Sequence, residues 1–248
     1  MITPAPSCFG LNFFGYNTKV LDEYLLRDSF DHIATVNAEF IVTAYEEKDH
    51  RFLKVINNSI CTVDGQIPLW ISKVFGKNTK SLVKISGSDY SKHVLTLARN
   101  NNLKVFFLGG NPVSIEKLLE EYPENHLFGG YSPEFEKYPF SLANTLSIQD
   151  KLNKFNPDIV LVGFGAVKQE YWIDDNKQFL NELGVRCAIG VGGTFEFLAG
   201  TFSRAPIFIQ KAGLESIYRL AQQPSLFRMK RILKSLKVIK HVYKKTPA

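Results

Sequence analysis

Asn156–Ile173 reads NPDIVLVGFGAVKQEYWI, and Val185–Pro206 reads VRCAIGVGGTFEFLAGTFSRAP. In both stretches an apolar run ends in a glycine-rich turn and passes straight into a helical pattern. Such a turn gathers backbone N–H groups and the positive end of a helix at one point, which suits a phosphate. Runs that are apolar throughout fit strands covered on both faces.

Outward from these stretches, short β-rich runs alternate with helical ones. Strands are expected at Leu11–Tyr16, His32–Val36, Ser59–Val63, Lys104–Leu108, His126–Gly129, Ile159–Val162 and Arg186–Ile189. Helices are expected at Val20–Arg27, Ala38–Lys48, Tyr90–Asn100, Ser114–Glu121, Leu142–Phe155 and Tyr171–Leu183. Pro123, Pro133 and Pro139 break the middle of the chain into loops. This alternation predicts an α/β fold with a mostly parallel, doubly wound sheet and right-handed crossovers. Ligands of such sheets bind beyond the carboxyl ends of the strands.

After Arg204 the pattern turns to helix alone, over Ile207–Gln222 and then Ser225–Tyr243 behind Pro224. The chain therefore divides into a core over residues 1–203 and a basic helical appendage over 204–248. In the last helix Leu226, Met229, Ile232, Leu233, Leu236, Ile239 and Tyr243 recur at spacings of three and four. Lys230, Arg231, Lys234 and Lys237 fall largely on the other side, giving a basic amphipathic helix.

The whole chain of 248 residues is 45% hydrophobic and 22% charged, a globular composition with ample core. Its net charge of +6 is uneven: from Arg204 onward eleven Lys/Arg face one acidic residue, Glu215, while the other residues sum to −4. Basicity thus belongs to the tail, and its aromatic residues do not interleave with the cations as base-stacking sites would, so no nucleic-acid partner is expected. Each exposed cation near an anionic bilayer could add roughly 1 kcal/mol. Cys8, Cys61 and Cys187 are scattered, which argues against a disulfide framework or a zinc site and for a reducing compartment. The opening MITPAPSCFGLNFFGY lacks a basic region and holds two early prolines, unlike a secretory signal. No apolar run approaches the roughly 18 residues of a membrane span.

Several motifs carry two readings. Gly109 and Gly110 follow an apolar run and precede a helix start, either as a tight turn or as a ligand contact. Neither Gly163-Phe164-Gly165 nor Gly190-Val191-Gly192-Gly193 matches GxGxxG, which speaks against a nicotinamide cofactor. Asp64-Gly65 ends the Ser59–Val63 run, either as a turn aspartate or as a general base at the ligand-binding rim. Thr35-Val36-Asn37 ends another run, with Asn37 placed to cap the next helix. Lys168-Gln169-Glu170 reads most simply as a solvated, charged helix start. Asp174-Asp175 reads as helix surface, no DxD triplet occurs, and the five histidines form no metal spacing.

Taken in order, T-x-N (Thr35, Asn37), D-G (Asp64, Gly65), G-S-D (Gly87, Ser88, Asp89) and FLGG (Phe107–Gly110) are followed by VGFGAVKQE-x-W (Val162–Trp172). GVGGTFEFLAG-x-x-x-RAP (Gly190–Pro206), GLE-x-x-YRL (Gly213–Leu220) and QP (Gln223, Pro224) complete the series. This series resembles the TagA/WecG/CpsF family of glycosyltransferases over nearly the whole chain. The resemblance implies a Rossmann-like domain with a C-terminal helical appendage that reaches the cytoplasmic face of the cell membrane. It implies inverting transfer of N-acetylmannosamine or its uronic acid, or a related hexose, from a UDP-sugar to a polyprenyl-diphosphate-linked sugar in bacterial surface-polysaccharide assembly.

Residue by residue, the resemblance makes Asp64 the general base. It gives Thr35, Asn37, Lys84, Gly109, Gly110, Gly163, Gly165, Gln169, Gly192, Gly193 and Glu196 to the donor. Arg204, Arg219, Arg228 and Arg231 go to donor or acceptor diphosphates. No cofactor and no metal are expected, since N–H groups and arginines would stabilise the leaving diphosphate. The chain departs from the family pattern at Lys84 (usually arginine), Val167 (usually proline), Glu196 (usually aspartate) and Ser216 (commonly tryptophan). After Gly65 it has Gln66-Ile67-Pro68 in place of a glycine-containing run. The alternatives are a non-catalytic UDP-sugar or lipid-binding module, and a nucleotide-dependent oxidoreductase on a similar sheet.

Overall fold

The computed structural model describes residues 5–15, 17–46, 50–222 and 224–243. Tyr16, the last two residues of the helix expected at Ala38–Lys48, and Gln223 lie outside the described residues.

The chain is α/β, with a six-stranded parallel sheet flanked by helices. Strands β1 (Ser7–Cys8) and β2 (Leu11–Asn12) form a separate antiparallel pair. Strands β3 (Asp31–Val36), β4 (Ile60–Val63), β5 (Val105–Gly109), β6 (Phe128–Tyr131), β7 (Ile159–Gly163) and β8 (Cys187–Gly190) build the sheet, in the order β4-β3-β8-β7-β5-β6. The strand expected at Leu11–Tyr16 stops after two residues. Beyond it the N–H groups of Phe13 and Phe14 go to Pro6 and Cys61 and form no ladder with β1.

Packing divides the chain into two compact units. One takes residues 19–34 and 87–203, and the other takes 1–18, 35–86 and 204–248. In the first of these, β5 pairs with β7 from Val105–Ile159 to Gly109–Gly163, and β7 with β8 from Ile159–Cys187 to Val162–Gly190. The three glycine turns therefore follow neighbouring strands. Alternate residues Phe106, Leu108, Val160, Val162 and Ala188 turn one face of the sheet toward Ile148, Leu152, Trp172, Ile173 and Leu180. That face forms a core of aromatic and branched side chains, each worth about 1.5–3 kcal/mol on full burial.

The Leu142–Phe155 helix begins where Ser141 Oγ accepts the Asn144 N–H at 3.2 Å, and ends at left-handed Asn156 before Pro157. The helix expected over Tyr171–Leu183 is two helices, Lys168–Asp175 and Lys177–Glu182. At the junction the Asn176 side chain donates to the Trp172 carbonyl at 2.9 Å, which competes with helix continuation.

The other unit holds Ala38–Glu46, His50–Asn57 and Gln66–Phe75, then Ile207–Lys211, Glu215–Gln222 and Leu226–Ser235 with a 3₁₀ turn at Leu236–His241. The helix expected over Ile207–Gln222 breaks at Gly213, whose φ of 73° favours glycine. Buried Val238, His241 and Val242 belong to the end of the chain, which packs on the Ala38–Glu46 helix. Among the described residues no helix is long and apolar enough to cross a membrane.

Candidate active site

In the unit containing residues 35–86, β3 and β4 deliver the proposed base and its neighbours. The Asp64 N–H donates to the Val36 carbonyl at 2.8 Å, so the carboxyl ends of the two strands are tied together. Asp64 is partly exposed, and Gly65 at φ 96° turns the chain into the Gln66–Phe75 helix. Thr35 is buried on β3. Asn37 caps the Ala38–Glu46 helix, its Oδ1 accepting the Phe40 N–H at 3.1 Å. Lys84 lies alongside the end of β4: it bridges Val63, and the Ile85 N–H donates to the Val63 carbonyl at 2.9 Å.

The arginines of the same unit divide by partner. Arg204 Nη2 is 3.4 Å from Ser86 Oγ, and its Nε is 3.7 Å from Glu215. Arg231 pairs through Nε with Glu39 at 2.6 Å, in the first turn of the helix that Asn37 caps. Arg219 and Arg228 are half-buried on the Glu215–Gln222 and Leu226–Ser235 helices. The structure thus brings Thr35, Asn37 and Asp64 to adjoining strand ends and engages Arg231 with Glu39 beside them.

In the unit containing residues 87–203, the glycine turns show why they are glycine. A Cβ on Gly109 would meet the Phe164 ring at 2.7 Å, and one on Gly110 or Gly163 would meet Phe195 at 2.7 or 2.6 Å. At Gly165 and Gly192, both at positive φ, a Cβ would meet nothing within 4 Å. Those two face open space and allow close approach of a ligand to the backbone. The Gly110 N–H donates to the Gly163 carbonyl at 3.1 Å, and the Gly192 N–H to Gln169 Oε1 at 2.9 Å. Gly193 is exposed on the same turn. Glu196, on the short Phe195–Leu198 helix, has one carboxyl oxygen buried without a hydrogen-bond partner among the described residues.

One expectation is overturned here. Lys168-Gln169-Glu170 is no solvated helix start, for Gln169 is 2% exposed and Glu170 is fully buried. Glu170 Oε2 accepts the Val167 N–H at 2.8 Å, and its Oε1 accepts from Gln169 Nε2 at 2.7 Å. Burial pushes its pKa up to about 8 against these hydrogen bonds. The signal for this lay in the sequence: Glu170 stands three residues after the turn residue Val167, the offset of a side chain reaching back to a helix start. Phe164, Phe195 and Glu39, which shape the same turns and strand ends, were also missed. Phe164 and Phe195 sat inside the motifs as residues without obvious chemistry, and Glu39 lay outside the motifs.

Residues 10–247 match the model of the Glycosyl transferase WecG/TagA/CpsF family. The chain belongs to that family. As a WecG/TagA/CpsF member it is a glycosyltransferase, as its motifs led us to expect. Similar proteins include the N-acetylglucosaminyldiphosphoundecaprenol N-acetyl-beta-D-mannosaminyltransferase of Bacillus subtilis (strain 168), 28% identical over 81% of this chain and 74% of that protein. The protein of the same name from Staphylococcus aureus (strain NCTC 8325 / PS 47) is 30% identical over 82% of this chain and 80% of its own length.

Proposed function

We propose that this glycosyltransferase moves an N-acetylmannosamine-type sugar from UDP to a hydroxyl of a polyprenyl-diphosphate-linked sugar, with inversion, at the membrane surface. The observation that carries the chemistry is Asp64: a partly exposed carboxylate at the carboxyl end of β4, its backbone tied to the end of β3. The names of the related proteins supply the substrate class. In the proposed step the Asp64 carboxylate takes the proton of the acceptor hydroxyl while that oxygen attacks C1 of the donor sugar. The bond from C1 to the diphosphate oxygen breaks, and UDP leaves with its added negative charge.

The backbone at Gly165 and Gly192 has room for close contact with the diphosphate. The unpartnered carboxyl oxygen of Glu196 suits a sugar or ribose hydroxyl, because a buried acceptor without a donor is costly. Arg204, Arg219 and Arg228 are the cations we assign to acceptor or donor diphosphate, and guanidinium groups grip such oxygens in pairs. Surface attachment is supported by exposed Leu226, Met229, Leu233, Leu236 and Ile239 on a tail rich in lysine and arginine.

The test is sugar transfer from a panel of UDP-sugars to a short-chain N-acetylglucosaminyl-diphosphate lipid. Asp64→Asn should lower kcat by about 10²–10⁴-fold and leave UDP binding intact, as expected for loss of a general base. Full activity in Asp64→Asn would remove Asp64 from the mechanism. UDP binding by the wild type without turnover on any donor would favour a non-catalytic binding module.

A further inference from the structure

The buried pair Gln169 and Glu170 is not needed to make a helix start. A solvated side chain would serve that purpose without the cost of burying a carboxyl group. What the pair does is connect two turns. The Gly192 N–H, in the turn after β8, donates to Gln169 Oε1 at 2.9 Å. The Gln169 amide nitrogen donates in turn to Glu170 Oε1 at 2.7 Å, and Glu170 Oε2 accepts the Val167 N–H, in the turn after β7, at 2.8 Å. The chain of bonds has one direction. Glu170 must accept at both oxygens, so the Gln169 amide is held with its nitrogen toward Glu170 and its oxygen toward Gly192.

Two backbone features are fitted to this arrangement. Gly190, the last residue of β8, leaves the space the pair occupies: a Cβ there would come within 2.6 Å of both Gln169 Nε2 and Glu170 Oε1. Val167 is held at φ 71° and ψ −50°, where a β-branched residue is strained. Its N–H is the one that Glu170 binds.

We propose that Glu170 is a positioning residue for donor binding, its carboxylate acting through Gln169 to hold the backbone of Gly192 where the UDP diphosphate is bound. This rests on the UDP-sugar reading given above. The ionised carboxylate, which predominates above its pKa of about 8, fills the role; the protonated acid, with its O–H donor, and an amide do not. Glutamine at position 170 has one acceptor oxygen, so either the Val167 N–H or the Gln169 amide then faces another N–H group. Turning Gln169 over to meet it would set its nitrogen against the Gly192 N–H. The surroundings of Glu170 are uncharged: the Gln169 amide, the N–H groups of Val167 and of Glu170 itself, and the bare Cα of Gly190. Its neighbour Lys168 lies over the Phe135 ring.

The experiment compares full-length wild type with Glu170→Gln in two ways. Amide NMR follows Val167 and Gly192 between about pH 6 and about pH 9.5, a span that brackets ionisation of a buried acid. Steady-state kinetics at about pH 9, where Glu170 is ionised, give separate KM values for the UDP-sugar and the lipid acceptor. In wild type the two amides should titrate together, with one midpoint. In Glu170→Gln that titration should vanish, and the Gly192 amide signal should be displaced. The donor KM should rise about tenfold with the acceptor KM within about twofold, the pattern of lost donor positioning. A Gly192 amide indifferent to both pH and substitution, or an unchanged donor KM, would overturn the proposal. If Glu170→Gln does not fold, the wild-type titration alone decides. If wild type transfers no sugar from any UDP donor, the functional reading fails while the two amides still judge Glu170.

Discussion

Among the described residues Glu170 is enclosed by hydrogen-bond donors and by no cation, so burial opposes its charge while the hydrogen bonds favour it. Burial dominates and carries the pKa to about 8. A carboxyl that holds its proton more tightly folded than unfolded adds stability at acid pH, and that stability drains away as pH rises through the folded pKa. The melting temperature of wild type should therefore fall relative to that of Glu170→Gln between about pH 5 and about pH 9, with the gap flat below the ordinary carboxylate range. Thermal unfolding at a series of pH values measures this, and a gap independent of pH would contradict it. Val167 has its own consequence. Proline is locked near φ −65°, so it cannot take the φ of 71° found here. The departure from the family's usual proline thus accompanies a turn that proline could not form.

At the scale of elements, Phe195 shows how one side chain serves several turns. Its ring is fully buried, fills the space a Cβ would take at Gly110 and Gly163, and meets Phe107 edge-on at 5.7 Å. Phe195→Ala should cost about 3–5 kcal/mol by the usual measure of a large aromatic lost from a core. Urea unfolding would measure that loss, and UDP affinity should fall with it. The end of the chain makes a different prediction. Leu233 and Leu236 are exposed on the amphipathic tail, so Leu233→Glu with Leu236→Glu should reduce sedimentation with anionic vesicles by about tenfold. Unchanged sedimentation would sever the tail from membrane binding.

The same scale shows what could be read in advance. The central strands β5, β7 and β8 were legible because parallel strands covered on both faces are apolar throughout, whereas the partly exposed edge strand β6, FGGY, was placed two residues early. Gln66–Phe75 was missed because it carries apolar residues on its exposed side, Ile67, Trp70 and Val74, which hides the helical period. Asn37 as a cap was readable locally. The pairing of Arg231 with Glu39 was not, since no local pattern brings together residues so far apart in sequence.

Across the whole molecule, the chain enters one compact unit three times and the other twice. The composition boundary at Arg204 is also where the chain returns to the unit that holds Asp64. Residues 225–243 are consequently part of that unit's packing as well as the candidate membrane surface. Ending the chain at Pro224 would remove buried Val238 and Val242, each worth about 1.5–3 kcal/mol. The melting temperature should drop by about 6–24 °C, from about 3–6 kcal/mol lost at the roughly 2–4 °C per kcal/mol of a chain this size. Scanning calorimetry would show it, and an unchanged transition would mean that the tail is dispensable to folding. Substitution of single exposed residues is for that reason the cleaner way to probe membrane attachment.

The bond between Arg231 and Glu39 spans 192 residues of sequence. On a ribosome adding about 5–20 residues per second, Glu39 emerges roughly 10–40 s before its partner is made. The segment bearing the proposed base is thus among the first synthesised and among the last to gain its packing partner.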